Sequence, residues 1–375
     1  MENILFLINT LNSGGAEQVL VDIVNNLSMK DYKITVQTIF DTGDYRKSLS
    51  SKVNYIPGFK IKKRITNAIF YRFLCLLPAR VLSRLIIKKE YDYEVAFLEG
   101  LPTKVIAGGT RKTTKRIAWV HTDLYSYYGN KYVFGSVNAN IECYKKYNKI
   151  ICVSEGVKES FKKRFGDFDN LIVRYNPLDK EQILYKSNLK IDGFDLDDNG
   201  FKLVAVGRLV DQKGFDYLIE SISIIKRVIK EKVSLYIIGD GPDRDKLNKL
   251  IEKYDLTNNV HLCGKMDNPY NLMKKCDVMV ISSRAEGYSL VLCEALIICL
   301  PVVSTNVTGP SEILNNAVAG LLVNISAEAL ADGLKKIIED RNLYRQLKKN
   351  AEIWSNEYNP NIVYSQIESI FKEGD

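Results

Sequence analysis

Glu286 and Glu294 are separated by seven residues in the stretch 283–296, Ser-Arg-Ala-Glu-Gly-Tyr-Ser-Leu-Val-Leu-Cys-Glu-Ala-Leu. An apolar run at 277–281 precedes it, and Pro301-Val302-Val303-Ser304 follows. The pattern reads as strand, loop, helix, strand, with polar groups at the strand-to-helix turn, where open α/β sheets bind ligands. Glu286 is expected in the loop and Glu294 about two turns into the helix. Between them the N–H groups of Ser289, Leu290 and Val291 open the helix. Free N–H groups and the helix dipole favour a phosphate there. One carboxylate on each side of a phosphate suits a ligand with hydroxyls on both sides, such as a nucleotide sugar. Two Glu residues alone are explained more simply by the dipole and an exposed helix face, so other parts of the chain must decide.

A basic pair does so. Val206-Gly207-Arg208-Leu209 ends an apolar strand and Gln212-Lys213-Gly214 starts a helix. The dipole disfavours cations at a helix start, so Arg208 and Lys213 need a reason to be there, and a diphosphate between them supplies one. Near the amino terminus an apolar run at 4–8 leads into Ser13-Gly14-Gly15-Ala16-Glu17 and a helical pattern, a turn where backbone can approach a diphosphate. His121, one of two histidines, directly follows the apolar run 117–120 and could face a reacting carbon. His261 lies inside an apolar strand and is read as structural. Asp167-Phe168-Asp169 and Asp195-Leu196-Asp197 have a spacing that can hold a metal on a diphosphate, but both fall in loop-like sequence and are read as solvated. No cluster has metal-ligand spacing, so no metal is expected.

These residues need two sheets to carry them. Short apolar runs alternate with helical patterns from residue 3 to 175 and again from 202 to 340, which predicts two doubly wound parallel sheets. The expected division is 1–177 for an acceptor-binding, membrane-facing domain and 178–200 for a polar linker. A nucleotide-sugar domain at 201–358 and a closing helix at 359–375 complete it. That helix is expected to pack on the first domain.

Composition is that of a globular protein, with 46% hydrophobic and 26% charged residues. Seven cysteines without a CxxC fit free thiols in a reducing compartment. No basic leader or cleavage site precedes the first strand, so no signal peptide is expected. Charge is uneven: residues 1–180 hold 29 Lys and Arg against 17 Asp and Glu, while the remainder holds 24 against 28. Residues 60–89 contain nine Lys or Arg and no acid, interleaved with aliphatic and aromatic residues. The stretch is too interrupted to span a bilayer. It suits an anionic membrane surface better than nucleic acid, because its apolar residues are chiefly aliphatic and not stacking aromatics.

Taken in order, Gly-Gly-Ala-Glu at 14–17, Val-Gly-Arg-Leu at 206–209, Lys213-Gly214, Ile-Gly-Asp-Gly-Pro at 238–242 and the Glu-x7-Glu of 286 and 294 resemble the family 4 glycosyltransferases. These are retaining enzymes of the GT-B fold, two Rossmann-like domains facing across a cleft. The resemblance covers nearly the whole chain and implies roles. Glu286 would bind donor-sugar hydroxyls and Glu294 the ribose. Arg208 and Lys213 would hold the diphosphate, with Gly14, Gly15 and the backbone at Ser289 and Leu290 also facing the phosphates. His121 would sit near the transferred sugar, and Met266, with Lys265, near the base. Two departures stand out: Cys299 replaces a Gly common two residues before Pro301, and Thr308-Gly309-Pro310-Ser311-Glu312 is a variant of a more Gly-rich loop.

The expected activity is metal-independent, retaining transfer of a hexosyl or N-acetylhexosaminyl group from a UDP-sugar. The acceptor would be a glycan or a polyprenyl-diphosphate-linked one in bacterial surface polysaccharide synthesis. The expected place is cytoplasmic, peripheral on the inner face of the plasma membrane. A sugar-nucleotide epimerase of the same fold and a non-catalytic partner subunit are the competing readings.

Overall fold

A computed structural model describes residues 1–12, 14–60, 64–126, 131–191 and 200–372, with backbone only at 64–68, 131, 316 and 317. The chain divides into two compact units, Met1–Leu178 with Pro360–Asp375, and Asp179–Asn359.

The first unit runs β1 (Glu2–Ile8), α1 (Gly15–Leu27), β2 (Tyr32–Thr38), β3 (Asn54–Ile56), α2 (Arg64–Leu76) and α3 (Ala79–Ile86). It continues with β4 (Tyr93–Ala96), α4 (Leu101–Ala107), β5 (Lys115–Val120), α5 (Lys131–Phe134), α6 (Val137–Tyr144), β6 (Lys149–Cys152), α7 (Glu155–Phe165) and β7 (Leu171–Val173). The seven strands are parallel, in the order β3-β2-β1-β4-β5-β6-β7. The central strands read as continuous apolar runs because helices cover both faces; Ile4 to Ile8 are fully buried. The order reverses between β1 and β4, leaving a crevice at their carboxyl ends.

The second unit opens with α8 (Lys180–Ser187) and repeats the plan. Its elements are β8 (Phe201–Val206), α9 (Phe215–Val228), β9 (Val233–Ile238), α10 (Arg244–Lys253), β10 (Val260–Gly264), α11 (Tyr270–Met273) and β11 (Val278–Ile281). Then come α12 (Leu290–Ile297), β12 (Val302–Thr305), α13 (Thr308–Ala317), β13 (Gly320–Val323), α14 (Ala327–Glu339) and α15 (Arg341–Glu357). Six parallel strands lie in the order β10-β9-β8-β11-β12-β13, reversing between β8 and β11. Apolar faces of α9 and α14 close one side of the core, through Leu218, Ile222, Leu330, Leu334 and Ile337. This is the GT-B plan of two Rossmann-like sheets.

The last helix, α16 (Pro360–Lys372), belongs to the first unit. Phe371 packs edge-on against Phe6, Tyr32 and Tyr93, and the Tyr93 hydroxyl donates to the Phe371 carbonyl at 3.1 Å. Pro360 at its first position starts a helix that needs no N–H there.

The stretch 178–200, expected as a linker, is not one throughout. It begins with α8, capped by the Asp179 carboxylate accepting from the Gln182 N–H at 2.9 Å. Asn268 and Asn271 then donate to the carbonyls of Lys186 and Lys190, each at 2.9 Å, tying this segment into the second unit. Its polarity misleads because α8 buries only Ile183 and Ser187. Asp195-Leu196-Asp197 lies outside the described residues. The variant 308–312 is not a loop either: it forms the first turn of α13, where Pro310 is tolerated.

Candidate active site

In the second unit the loops after β8 and β11 flank the crevice where the strand order reverses. Lys213 ends a short 3-10 turn, Asp211–Lys213, and Glu286 lies in the loop before α12. Their side chains meet, Lys213 Nζ to Glu286 Oε1 at 2.5 Å, and Ser283 Oγ donates to the same oxygen at 2.8 Å. The Glu286 side chain is only 11% exposed and that of Lys213 25%, so neither charge is well solvated and each offsets the other's burial. A Cβ at Gly207 would come within 3.3 Å of the flexible Lys213 stem, a contact that a small shift of the lysine relieves. Gly214 takes φ +61°, and a Cβ would run into the Ser282 carbonyl.

The two loops are stitched together. Ser282 Oγ donates to the Lys213 carbonyl at 2.8 Å, Thr305 Oγ1 to the Ser283 carbonyl at 2.6 Å, and the Gly309 N–H to the Glu286 carbonyl at 3.1 Å. Lys213, Ser283, Glu286, Ser289 and Val206 line one small pocket. Ser289 is the N-cap of α12, buried, with a hydroxyl that makes no capping bond. Helix geometry leaves the N–H groups of Leu290, Val291 and Leu292 without intrahelical acceptors. The pocket, with room for no more than about one water, sets the Lys213–Glu286 pair beside a helix start, an element whose dipole favours anions.

Other expected residues stand apart from that pocket. Arg208 is exposed, and among the described residues its guanidinium has no ion pair. Glu294 is the fifth residue of α12, in its second turn and nearer the start than two full turns. It is half-buried and its Oε1 accepts from the Tyr270 hydroxyl at 3.0 Å. Met266 is half-buried in the loop after β10.

In the first unit Gly14 is the extended N-cap of α1 and Gly15 its first residue; Ser13 lies outside the described residues. His121 directly follows β5. Its backbone N–H and that of Thr122 donate to Glu99 Oε1, at 2.5 and 2.7 Å. Its ring lies 4.8 Å from that of Phe97, and Nε2 is buried and, among the described residues, has no hydrogen-bond partner. Burial pulls the His121 imidazole down to about 3, so it is neutral at physiological pH. Burial pushes the Glu99 carboxyl above its ordinary range, against the pull of the backbone N–H groups. His261 stacks on Tyr236, ring centroids 5.0 Å apart. Asp167 and Asp169 are exposed, and Asp167 pairs with Lys162 at 3.6 Å.

Sequence reasoning missed Glu99, Ser283, Arg284 and Tyr270. Ser283 and Arg284 sit inside the stretch it opened on, so their place was flagged but not their partners. Glu99 and Tyr270 carried no spacing signal.

Two family models match. "Glycosyltransferase Family 4" covers residues 13–182 and "Glycosyl transferases group 1" residues 188–354. A Campylobacter jejuni enzyme is 28% identical over 94% of each chain; its name is N-acetylgalactosamine-N,N'-diacetylbacillosaminyl-diphospho-undecaprenol 4-alpha-N-acetylgalactosaminyltransferase. An uncharacterized glycosyltransferase of Methanocaldococcus jannaschii is 34% identical over 54% of this chain, and the match spans half of that relative's length. Among solved structures, Anabaena HepE in complex with UDP and glucose superposes over 100% of both chains with TM-score 0.79 and 22% identity. With one family model on each half and this fold, the chain belongs to the GT-B glycosyltransferases, of the family 4 and group 1 type.

Proposed function

We propose that the protein is a retaining, metal-independent glycosyltransferase that takes a hexosyl or N-acetylhexosaminyl group from a UDP-sugar. The observation that carries the reading is the Lys213–Glu286 contact beside the open start of α12, at the strand-order reversal of the second unit. Lys213 and Arg208 hold the diphosphate, aided by the backbone at Ser289 and Leu290; in the first unit Gly14 and Gly15 open another helix start suited to phosphate. Glu286 accepts from donor-sugar hydroxyls, Glu294 from the ribose, and Met266 lies by the base. His121, kept neutral, is suited to hydrogen bonding near the transferred sugar and not to carrying charge.

In the reaction the acceptor hydroxyl attacks the anomeric carbon from the face the diphosphate leaves. The anomeric C–O bond breaks with its electron pair on the phosphate oxygen, and that oxygen takes the acceptor's proton. The products are the glycoside, with configuration kept, and UDP. Negative charge grows on the leaving diphosphate, and fixed cations and N–H groups stabilise it without reorganising.

The acceptor is a glycan or a polyprenyl-diphosphate-linked glycan of bacterial surface polysaccharide, reached from the cytoplasmic face of the membrane. The name of the Campylobacter relative includes such a lipid diphosphate. The α2–α3 pair supports a membrane contact: Ile69, Phe73, Leu76, Val81 and Leu85 are exposed large apolar residues, and Arg72, Arg80, Arg84, Lys88 and Lys89 are exposed beside them. No described helix is long and apolar enough to cross a bilayer, and this pattern matches surface binding through apolar insertion and anionic lipid. Lys62 and Lys63 of the same stretch lie outside the described residues.

The deciding test is a thermal-shift panel of nucleotide sugars, followed by NMR of the product and assay with chelator. UDP-sugars should raise the melting temperature, and the anomeric configuration should be kept with chelator present. A flat panel would remove the transferase reading; an inverted product or loss with chelator would remove the mechanism. Vesicles of anionic lipid should pull the protein down and zwitterionic ones should not; equal recovery would refute the membrane contact.

A further inference from the structure

The loop that carries Glu286 is braced by Arg284, two residues earlier. Its guanidinium forks onto the Asp216 carboxylate, Nη1 to Oδ1 at 2.9 Å and Nη2 to Oδ2 at 2.8 Å. Nη1 also donates to the Asp211 carbonyl at 2.5 Å, and the guanidinium carbon lies 4.2 Å from the centre of the Tyr217 ring. The backbone joins in: the Arg284 N–H donates to the Gln212 carbonyl at 2.8 Å, and Gln212 Nε2 returns to the Ala285 carbonyl at 2.9 Å. Asp211 and Gln212 belong to the turn that ends in Lys213, and Asp216 and Tyr217 to the first turn of α9. One side chain therefore grips both ends of the segment that presents Lys213, from the loop that presents Glu286. Burial pushes the Asp216 carboxyl up, but the hydrogen bonds and charge of Arg284 outweigh it, and the group is held below its usual range.

We infer that Arg284 is a positioning residue for nucleotide binding: its fork to Asp216 sets where Lys213 stands relative to Glu286. It does not line the Lys213–Glu286 pocket and acts only through those two residues. The inference rests on the reading of Lys213 as a diphosphate ligand. Arginine is required because the fork and the ring stacking need a planar guanidinium; a lysine ammonium would keep the charge and lose both.

The test is titration of the full chain with UDP and, in parallel, GDP, for the wild type and for Arg284→Ala, Arg284→Lys, Lys213→Ala and the Arg284→Ala/Lys213→Ala double variant. Each is measured at a temperature where its own melt shows it folded. Arg284→Ala should weaken nucleotide binding about tenfold or more, because small misplacements of a binding group are costly, and Arg284→Lys should recover little of it. In the Lys213→Ala background Arg284→Ala should add less than about threefold, since the group it positions is gone. If Arg284→Ala melts too low, Asp216→Asn keeps the shape, removes the charge partner and should give the same pattern. Wild-type affinity in Arg284→Ala, or an equal loss in both backgrounds, would overturn the inference and leave the proposed function standing. Binding of neither nucleotide by the wild type would overturn both.

Discussion

The two sheets reverse their strand order at equivalent places, β1 against β4 and β8 against β11, yet the loops there are furnished differently. In the second unit the polar groups are opposite charges already in contact: Lys213 with Glu286, Arg284 with Asp216. In the first unit they are a buried carboxylate held by backbone N–H groups and a half-buried imidazole kept neutral. Paired charges can be preorganised for a charged ligand, each partner offsetting part of the other's desolvation. A neutral imidazole cannot balance a diphosphate, but it can hydrogen-bond a sugar hydroxyl without burying a new charge.

Lys213→Ala should give the largest effect. Removing one stabilising donor of the leaving group costs roughly 10²- to 10³-fold in turnover, read as UDP release with a working donor and acceptor. It also strands Glu286, so Lys213→Ala/Glu286→Gln should unfold at higher denaturant than Lys213→Ala alone. If the single variant is the more stable of the two, the contact is incidental and the contrast between the units weakens.

Glu99→Ala probes the first unit. Two part-buried N–H groups lose their acceptor, at about 1–3 kcal/mol each, so a loss of about 2–6 kcal/mol is expected in urea unfolding. Glu99→Gln keeps a carbonyl oxygen in place and should lose about 1 kcal/mol or less. An equal loss in both would mean that the charge of Glu99, and not its acceptor oxygen, holds the loop.

His121 gives the pH test. Its folded pKa is lowered to about 3 while the unfolded chain protonates near 6.5. Between those values the unfolded state binds the extra proton, so stability falls as pH drops, by up to about 1.4 kcal/mol per pH unit. Glu99 has the opposite sign: its folded pKa is raised, so its contribution is present at low pH and fades as pH rises through the raised value. Melting curves in a Glu99→Gln background isolate the histidine. There His121→Gln should flatten the decline from pH 6.5 to 4, and an unchanged slope would show that the imidazole is not buried neutral.

Much of this was legible in the sequence for one reason. Buried parallel strands are continuous apolar runs, so their carboxyl ends, and with them Arg208, Lys213, His121 and Glu286, could be located by eye. The edge strands β3 and β13 were missed because they are short and half-buried. Helix α13 was missed because Gly309 and Pro310 open it. Arg284 and Glu99 were missed because their partners lie 68 and 22 positions away along the chain. Spacing shows which residues reach a strand end, but not which side chains hold the loops there.

The smallest effect concerns Cys299, which stands where the resemblance to family 4 enzymes expects a glycine. The residue takes φ +60°, the left-handed region, just past the end of α12. The Leu300 N–H donates to the Ala295 carbonyl at 2.9 Å and the Cys299 N–H to the Leu296 carbonyl at 3.0 Å, the Schellman pattern in which glycine is favoured. A side chain in that region costs about 1–2 kcal/mol, while glycine gives back about 0.5–1 kcal/mol in chain entropy. Cys299→Gly should therefore stabilise the protein by about 0.5–1 kcal/mol, seen as a higher urea midpoint with unchanged slope. UDP affinity should not change, because the stitched loops at the other end of α12 hold Ser289 and Glu286 independently. If affinity shifts with stability, strain at the end of α12 reaches its start, and the second unit's site is set by the whole helix instead of by its loops.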